Sequence, residues 1–139
     1  MTFEDARPFL EQNHRGVVTT HRRNGATQVS IVSSGAMNGA AVFVSRGDSA
    51  KLANLRRAPR CTVMATKIDW SGYAVVEGNA EIQDWDSLDA KDLRLLLRDA
   101  YRACGDTEHP NWHEFDKVMM EERRAVVLVH PEHVYGLFR

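Results

Sequence analysis

Cysteine is scarce in this chain of 139 residues, and long hydrophobic runs are absent. Its two cysteines, Cys61 and Cys104, lie far apart and in no CxxC spacing, which argues against a zinc site, a thioredoxin-type motif and a disulfide scaffold. A reducing, cytoplasmic environment is expected. No apolar run approaches the roughly 18 residues that cross a membrane, and residues 1–10 contain Glu4 and Asp5 where a signal peptide has its apolar core. We therefore expect an unexported protein without a membrane partner.

An excess of positive charge is also missing, because 18 Lys and Arg stand against 19 Asp and Glu for a net charge of −1. Binding along a nucleic-acid backbone needs a strongly basic face, so nucleic acid is not an expected partner. The chain contains no GxSxG, GxxxxGK[ST], HExxH or GxGxxG motif, which disfavours hydrolases, kinases, metalloproteases and dinucleotide-binding folds. No catalytic side chain is assigned from the sequence.

Histidines occur in two closely spaced pairs, His109 with His113 and His130 with His133. Such spacing can present two imidazoles to a metal ion. A proline lies inside each pair and interrupts regular geometry, and no cysteine lies nearby to complete a site. No metal is therefore predicted.

The composition, 43% hydrophobic and 27% charged, is that of an ordinary globular protein, and the length predicts one domain over residues 1–139. Asn24-Gly25 between two alternating segments is a strong hairpin signal. Gly78 within a strand predicts a bulge or a close backbone approach. The pattern indicates an α+β fold with about six mainly antiparallel strands, able to close as a small barrel, and short flanking helices. Strands are predicted at residues 17–23, 26–34, 40–45, 60–67, 72–83 and 125–130, with a short last one at 133–138, and helices at 5–13, 49–58, 87–103 and 112–122.

Residues 46–60 concentrate five of the 18 basic side chains just after a predicted strand. Ser49 begins the predicted helix and Lys51 lies in its first turn, where a cation opposes the helix dipole unless an anion is bound. Free N–H groups, the dipole and Lys51 together favour a phosphate there. Arg56, Arg57 and Arg60 are explained equally well as cations that complement the end of the helix.

Trp70 and Tyr73 lie near the start of a predicted strand, where aromatic side chains either fill the core or wall a pocket for a flat ligand. Together with a phosphate anchor they suggest a ligand that has both a planar ring and a phosphate, as a flavin-type cofactor has.

The order of these segments resembles a known family. Residues 49–60 (SAKLANLRRAPR), residues 70–80 (WSGYAVVEGNA) and the closing stretch 125–137 are similar to the pyridoxamine 5′-phosphate oxidase-like, flavin-binding split β-barrel superfamily. Within it, the chain looks most like the branch that uses the deazaflavin coenzyme F(420). The resemblance implies a homodimer with two equivalent clefts at the subunit interface, each holding one cofactor.

The resemblance assigns nine cofactor-binding positions: Ser30, Ser45, Ser49, Ala50, Lys51, Asn54, Arg57, Trp70 and Tyr73. Residues 49–51 correspond to the family's phosphate-binding Ser-x-Lys, with two further contacts on the same helix. The first two serines are expected beside the ring or its polyol. The two aromatic residues are expected to border the pocket from the strand side, from the same or the other subunit.

The resemblance implies an oxidoreductase in which reduced coenzyme F(420) transfers a hydride to a conjugated or unsaturated small molecule. One alternative is an oxidase that uses flavin mononucleotide (FMN) on a pyridoxamine phosphate-like substrate, although residues 28–33 lack the cations of that family's phosphate-binding strand. Another is a non-catalytic carrier of a flavin, a deazaflavin or a haem-type molecule. A fourth is a structural dimer that holds only inorganic phosphate or an acidic loop of a partner.

Overall fold

Six antiparallel strands close into a barrel in the computed structural model, which describes every residue from Met1 to Arg139. The strands are β1 (Arg15–His21), β2 (Thr27–Met37), β3 (Ala40–Ser45), β4 (Arg60–Thr66), β5 (Tyr73–Gln83) and β6 (Ala125–Leu137). The helices are α1 (Phe3–Gln12), α2 (Ala50–Arg57), α3 (Ala90–Gly105) and α4 (Trp112–Glu121). Around the barrel the strands follow the order β1-β2-β3-β6-β5-β4. The predicted α+β split-barrel architecture is confirmed. None of the four helices combines the length and the apolar character needed to cross a bilayer.

The two strands predicted at residues 125–130 and 133–138 form one long strand, β6. It pairs first with β3 and, along its whole length, with β5. The register shifts between Glu77 and Gly78, opposite Pro131, so the bulge predicted at Gly78 is confirmed. A Cβ at Gly78 would lie only 1.7 Å from the backbone oxygen of His130. The missing side chain therefore lets β6 bend without breaking its pairing.

Two apolar clusters share the strands β3 and β6. Inward-facing residues, including Phe43 and Val127, fill the barrel interior together with α1 and α2. Alternate residues, including Val42 and Val126, pack outside the barrel against α3 and α4. Both faces of β3 and of residues 125–129 of β6 are buried, which explains why these segments are continuous apolar runs rather than alternating ones.

Helix α3 approaches β2 at one glycine. A Cβ at Gly35 would lie 2.1 Å from the carbonyl oxygen of Ala103, so only glycine permits this close contact between helix and strand. The α3 helix and the loop after it are thereby held against the barrel.

The loop before α3 is fixed by a buried carboxylate, Asp84, which accepts a hydrogen bond from Arg56 at 2.8 Å and others from the backbone N–H groups of Asp86 and Ser87. Burial alone would raise the pKa of Asp84, but these hydrogen bonds outweigh it and leave the pKa below its ordinary value of 3.8.

A lowered pKa in the folded state predicts acid sensitivity. The unfolded chain takes up the Asp84 proton at a higher pH than the folded protein, so the contribution of Asp84 to stability is complete above pH 4 and is lost as the pH falls below it. We expect Asp84→Asn to be less stable at neutral pH and to lose less stability between about pH 5 and pH 3 than the wild type. Urea unfolding at several pH values measures this, with exposed Asp86→Asn as the control. Parallel pH profiles for wild type and Asp84→Asn would contradict the prediction.

Candidate functional site

The start of α2 is built by two serine hydroxyls. Ser49 is the N-cap, and its side chain accepts a hydrogen bond from the backbone N–H of Leu52 at 3.2 Å. The hydroxyl of buried Ser45 lies 2.6 Å from the hydroxyl of Ser49. These contacts fix the turn between β3 and α2 and the orientation of the first turn of the helix.

Lys51, in that first turn, is a half-buried cation without an acidic neighbour. Burial lowers its pKa, and the charge of Arg124 lowers it further. No carboxylate shifts it in the other direction. Arg124 itself pairs with Glu122 at 2.9 Å. An uncompensated cation beside a second one favours binding of an anion, because a bound anion would remove the repulsion between them.

Both cations line a cavity of about 640 Å³ between the barrel and the α3–α4 pair. Most of its other lining is apolar or aromatic, as is typical of small-molecule sites. Its lining includes Ile31, Ser33, Lys51, Tyr101, His109 and Arg124.

The barrel wall of the cavity contains an open strand edge. Strand β2 pairs with β1 through residues 27–33 but with β3 only through residues 34–37, so the sheet splits there. The N–H of Ser34 donates to the carbonyl of His14, the residue before β1, at 2.9 Å. Because such bonds alternate along an antiparallel pair, the backbone N–H and C=O groups of Val29, Ile31 and Ser33 face away from β1. The groups of Val29 and Ile31 have no strand partner and are available to a polar ligand edge, whereas Ser33 lies at the end of the β2–β3 pairing.

On the helical side, the cavity is lined by Tyr101, His109 and Phe115, which form an aromatic cluster together with Trp112. Ring centroids within the cluster lie 5.2 to 5.8 Å apart. Cys104 is also part of the lining, and burial raises the pKa of its thiol to about 12. A flat ligand in the cavity would therefore contact aromatic rings and a neutral thiol on this side.

Other predicted positions on α2 lie away from the cavity. The buried Asn54 amide donates to the Thr20 hydroxyl at 3.1 Å. Arg57 donates to the carbonyl of His21 at 2.7 Å and to the Asn54 side chain at 3.1 Å. These bonds tie α2 to β1.

The remaining small predicted residues are placed separately. Ser30 lies in register with Val18, whose side chain belongs to the barrel interior, and its own side chain is partly exposed. Ala50 is the exposed first residue of α2. Neither residue lines the cavity.

The two predicted aromatic residues lie at another opening of the same chain. Trp70, 75% exposed and with a φ of 66°, is at the tip of the β4–β5 turn, and it lines a second cavity of about 700 Å³ with Arg15 and Ile68. Tyr73 begins β5 on the outside of the barrel, in register with Thr66. The segment from Ile31 to Ser33 lines both cavities, so β2 separates them.

An apolar row crosses the outside of the barrel between these openings. Strand register aligns five side chains across five strands: Ile31, Val17, Met64, Val75 and Tyr135. Ile31 is 87% exposed and Tyr135 is 40% exposed. Val75 within the row is buried, so the exposed apolar surface lies mainly at its Ile31 and Tyr135 ends. Exposed apolar side chains of this size are typical of an interaction surface.

Residue Arg124 and the aromatic cluster were missed by the sequence reasoning. Arg124 precedes β6, and the pairing of Ala125 with Ser45 brings it beside the start of α2. The position of Arg124 beside α2 follows only from this long-range strand pairing, which the sequence does not reveal. The helical periodicity of α3 and α4 gave a usable signal for the cluster, because it placed Tyr101 and Phe115 on inward faces.

Comparison with known proteins agrees with this architecture. A family model described as pyridoxamine 5′-phosphate oxidase matches residues 2–138. A conserved hypothetical protein from Mycobacterium tuberculosis is similar in structure, with a TM-score of 0.77, 18% identity and coverage of 98% of this chain and 84% of that one. An F(420) reductase gives a TM-score of 0.65 at 23% identity, with 93% and 94% coverage. A heme binding protein from Mycobacterium smegmatis gives 0.69 at 19% identity, with 97% and 53% coverage. At such identities the three likenesses show the fold.

Proposed function

The chain belongs to the pyridoxamine 5′-phosphate oxidase family, and on that premise we propose that it is an oxidoreductase that uses the deazaflavin coenzyme F(420) to transfer a hydride to a conjugated or unsaturated small molecule. One observation carries the proposal: an uncompensated Lys51 beside Arg124 at a largely apolar cavity that also contains an open strand edge. The cofactor needs these three kinds of contact, since it has a phosphate, a planar ring and polar groups on the edge of that ring.

The residues present fit such a group. Lys51 and Arg124 would hold the phosphate through charge-assisted hydrogen bonds, and the free backbone groups of Ile31 would meet the polar ring edge. When bound, the deazaflavin supplies hydride chemistry that no side chain of the protein can supply. The protein's own contribution is orientation and exclusion of water from the cavity.

Two subunits are part of the proposal. The apolar row from Ile31 to Tyr135 would be covered by the same surface of a second copy, as in an isologous dimer. Trp70 and Tyr73 lie outside the 640 Å³ cavity of their own chain, so they would border a cofactor only across such an interface.

The proposed dimer can be tested by introducing one charged side chain into the apolar row. Ile31→Lys leaves a monomer almost undisturbed, since the side chain is exposed, but it would place an unpaired charge in the interface. We expect the wild type to show twice the chain mass of 15.7 kDa in sedimentation equilibrium and Ile31→Lys to show the chain mass. Thr27→Lys, an exposed position on the same strand, serves as the control. A monomeric wild type would refute the interfacial site.

The cofactor is tested by equilibrium binding of purified protein to coenzyme F(420) and, in parallel, to FMN and haem. Micromolar or tighter binding of the deazaflavin, with weaker binding of the other two, is the expected result. Preference for FMN would favour the oxidase alternative, and preference for haem would favour a carrier. If the deazaflavin binds, turnover of an added acceptor separates an enzyme from a carrier.

A further inference from the structure

His109 is the one member of the aromatic cluster whose protonation pattern is fixed by a neighbour. The backbone N–H of Asn111 donates to its Nδ1 atom at 3.0 Å. An Nδ1 atom that accepts a hydrogen bond carries no proton, so in the neutral ring the proton is on Nε2. No hydrogen bond within the protein uses Nε2.

The orientation of this ring is also fixed. It packs 5.3 Å from the Tyr101 ring and 5.3 Å from the Phe115 ring, centroid to centroid. Asn111 cannot shift easily, because its side chain caps α4 by accepting from the backbone N–H of Glu114 at 3.1 Å. The half-buried His109 thus presents a preorganised and unpartnered N–H donor.

His109 is one of the residues that line the 640 Å³ cavity. Besides the cations Lys51 and Arg124, the polar side chains in the lining are those of Ser33, Tyr101, Thr107 and His109. Among these, His109 has a ring N–H whose position is fixed by neighbouring groups. It therefore favours a ligand atom that can accept its hydrogen bond, because a donor that a ligand covers without pairing is costly.

We propose that His109 orients the substrate: its Nε2–H donates a hydrogen bond to a carbonyl or nitro oxygen of a planar, conjugated molecule that packs against the aromatic cluster. That the bound molecule is a substrate rests on the proposed function, whereas the binding of such a molecule at His109 does not. The proposal assigns a substrate class, a flat conjugated molecule with an exposed oxygen acceptor, and a residue that distinguishes it from a hydrocarbon of the same shape.

A matched pair of probes tests the donor directly. We would titrate the full chain with 2-acetylnaphthalene, a flat ketone, and with 2-ethylnaphthalene, which has nearly the same shape and no acceptor. Wild type is expected to bind the ketone more tightly than the hydrocarbon by about fivefold to tenfold, the size of one neutral hydrogen bond. His109→Phe, which keeps an aromatic ring, should abolish that preference, and His109→Gln, which keeps an N–H donor, should retain part of it. His113→Phe, at an exposed position of α4, should bind both probes as the wild type does.

Nitrogen NMR of the imidazole rings gives a second readout that a merely structural role would not move. The Nε2–H form of His109 is expected in the free protein, with a shift of the Nε2 signal when the ketone is added and none with the hydrocarbon. A proton on Nδ1, no preference for the ketone in the wild type, or the same preference in His109→Phe would each overturn the proposal. Coenzyme F(420) binding is measured separately, so failure to bind the cofactor would refute the proposed function and leave the His109 site standing.

Discussion

Replacing Lys51 by methionine is expected to weaken coenzyme F(420) binding by about 10-fold to 100-fold, which corresponds to the roughly 1.5–3 kcal/mol of a lost charge-assisted hydrogen bond. Methionine keeps the apolar part of the side chain that packs at the cavity wall, so the loss reports the charge. The folded state should be unharmed, because removing Lys51 also removes its repulsion with Arg124. Quenching of the deazaflavin fluorescence during titration gives the dissociation constants.

Lys91→Met is the matched control. Lys91 is an exposed lysine in the first turn of α3, and its substitution changes the net charge by the same amount. Its affinity for the cofactor should equal that of the wild type. Arg124→Met should act in the same direction as Lys51→Met. If Lys51→Met binds the deazaflavin as tightly as the wild type, the phosphate is not held at α2 and the proposed anchor is wrong.

Gly35→Ala is expected to destabilise the protein by about 3 kcal/mol or more, at the upper end of the cost of overpacking. The new methyl group would lie 2.1 Å from the carbonyl oxygen of Ala103, and backbone atoms of a helix cannot give way as a flexible side chain does. Helix α3 would have to move off β2. Because α3 also supplies Tyr101 and Cys104 to the cavity lining, the same change should weaken binding of any ligand there.

Chemical unfolding measures the stability change. Gly105→Ala is the control on the same helix, because its methyl group would meet nothing closer than 3.8 Å and alanine favours helix over glycine. That variant should be as stable as the wild type or slightly more stable. Wild-type stability of Gly35→Ala would show that α3 docks differently from the arrangement described.

The local elements of the fold were predictable from the sequence, because their signals are local. Asn24-Gly25 gave the β1–β2 hairpin, and Gly25 has the positive φ of 87° that such turns require. Ser49 was placed correctly at the start of α2. Gly78 marked the bulge between β5 and β6.

The split of the sheet along β2 and the position of Arg124 could not be predicted from the sequence, because both depend on strand register. The exchange of partners along β2, from β1 to β3 after Ser33, leaves no trace in its alternating sequence. Arg124 reaches the cavity only because β6 pairs with β3. Lys51 was found from the sequence because its anomaly, a cation in a first helical turn, is local.

The two cysteine thiols, both buried, have a practical consequence for redox work on this protein. Burial raises the pKa of Cys61 and of Cys104 to about 12, so almost no thiolate is present near neutral pH. The thiolate is the form that oxidants and alkylating reagents attack. Redox titrations of a bound chromophore are therefore expected to show no competing thiol couple, so an absorbance change in an oxygen-free titration can be assigned to the chromophore.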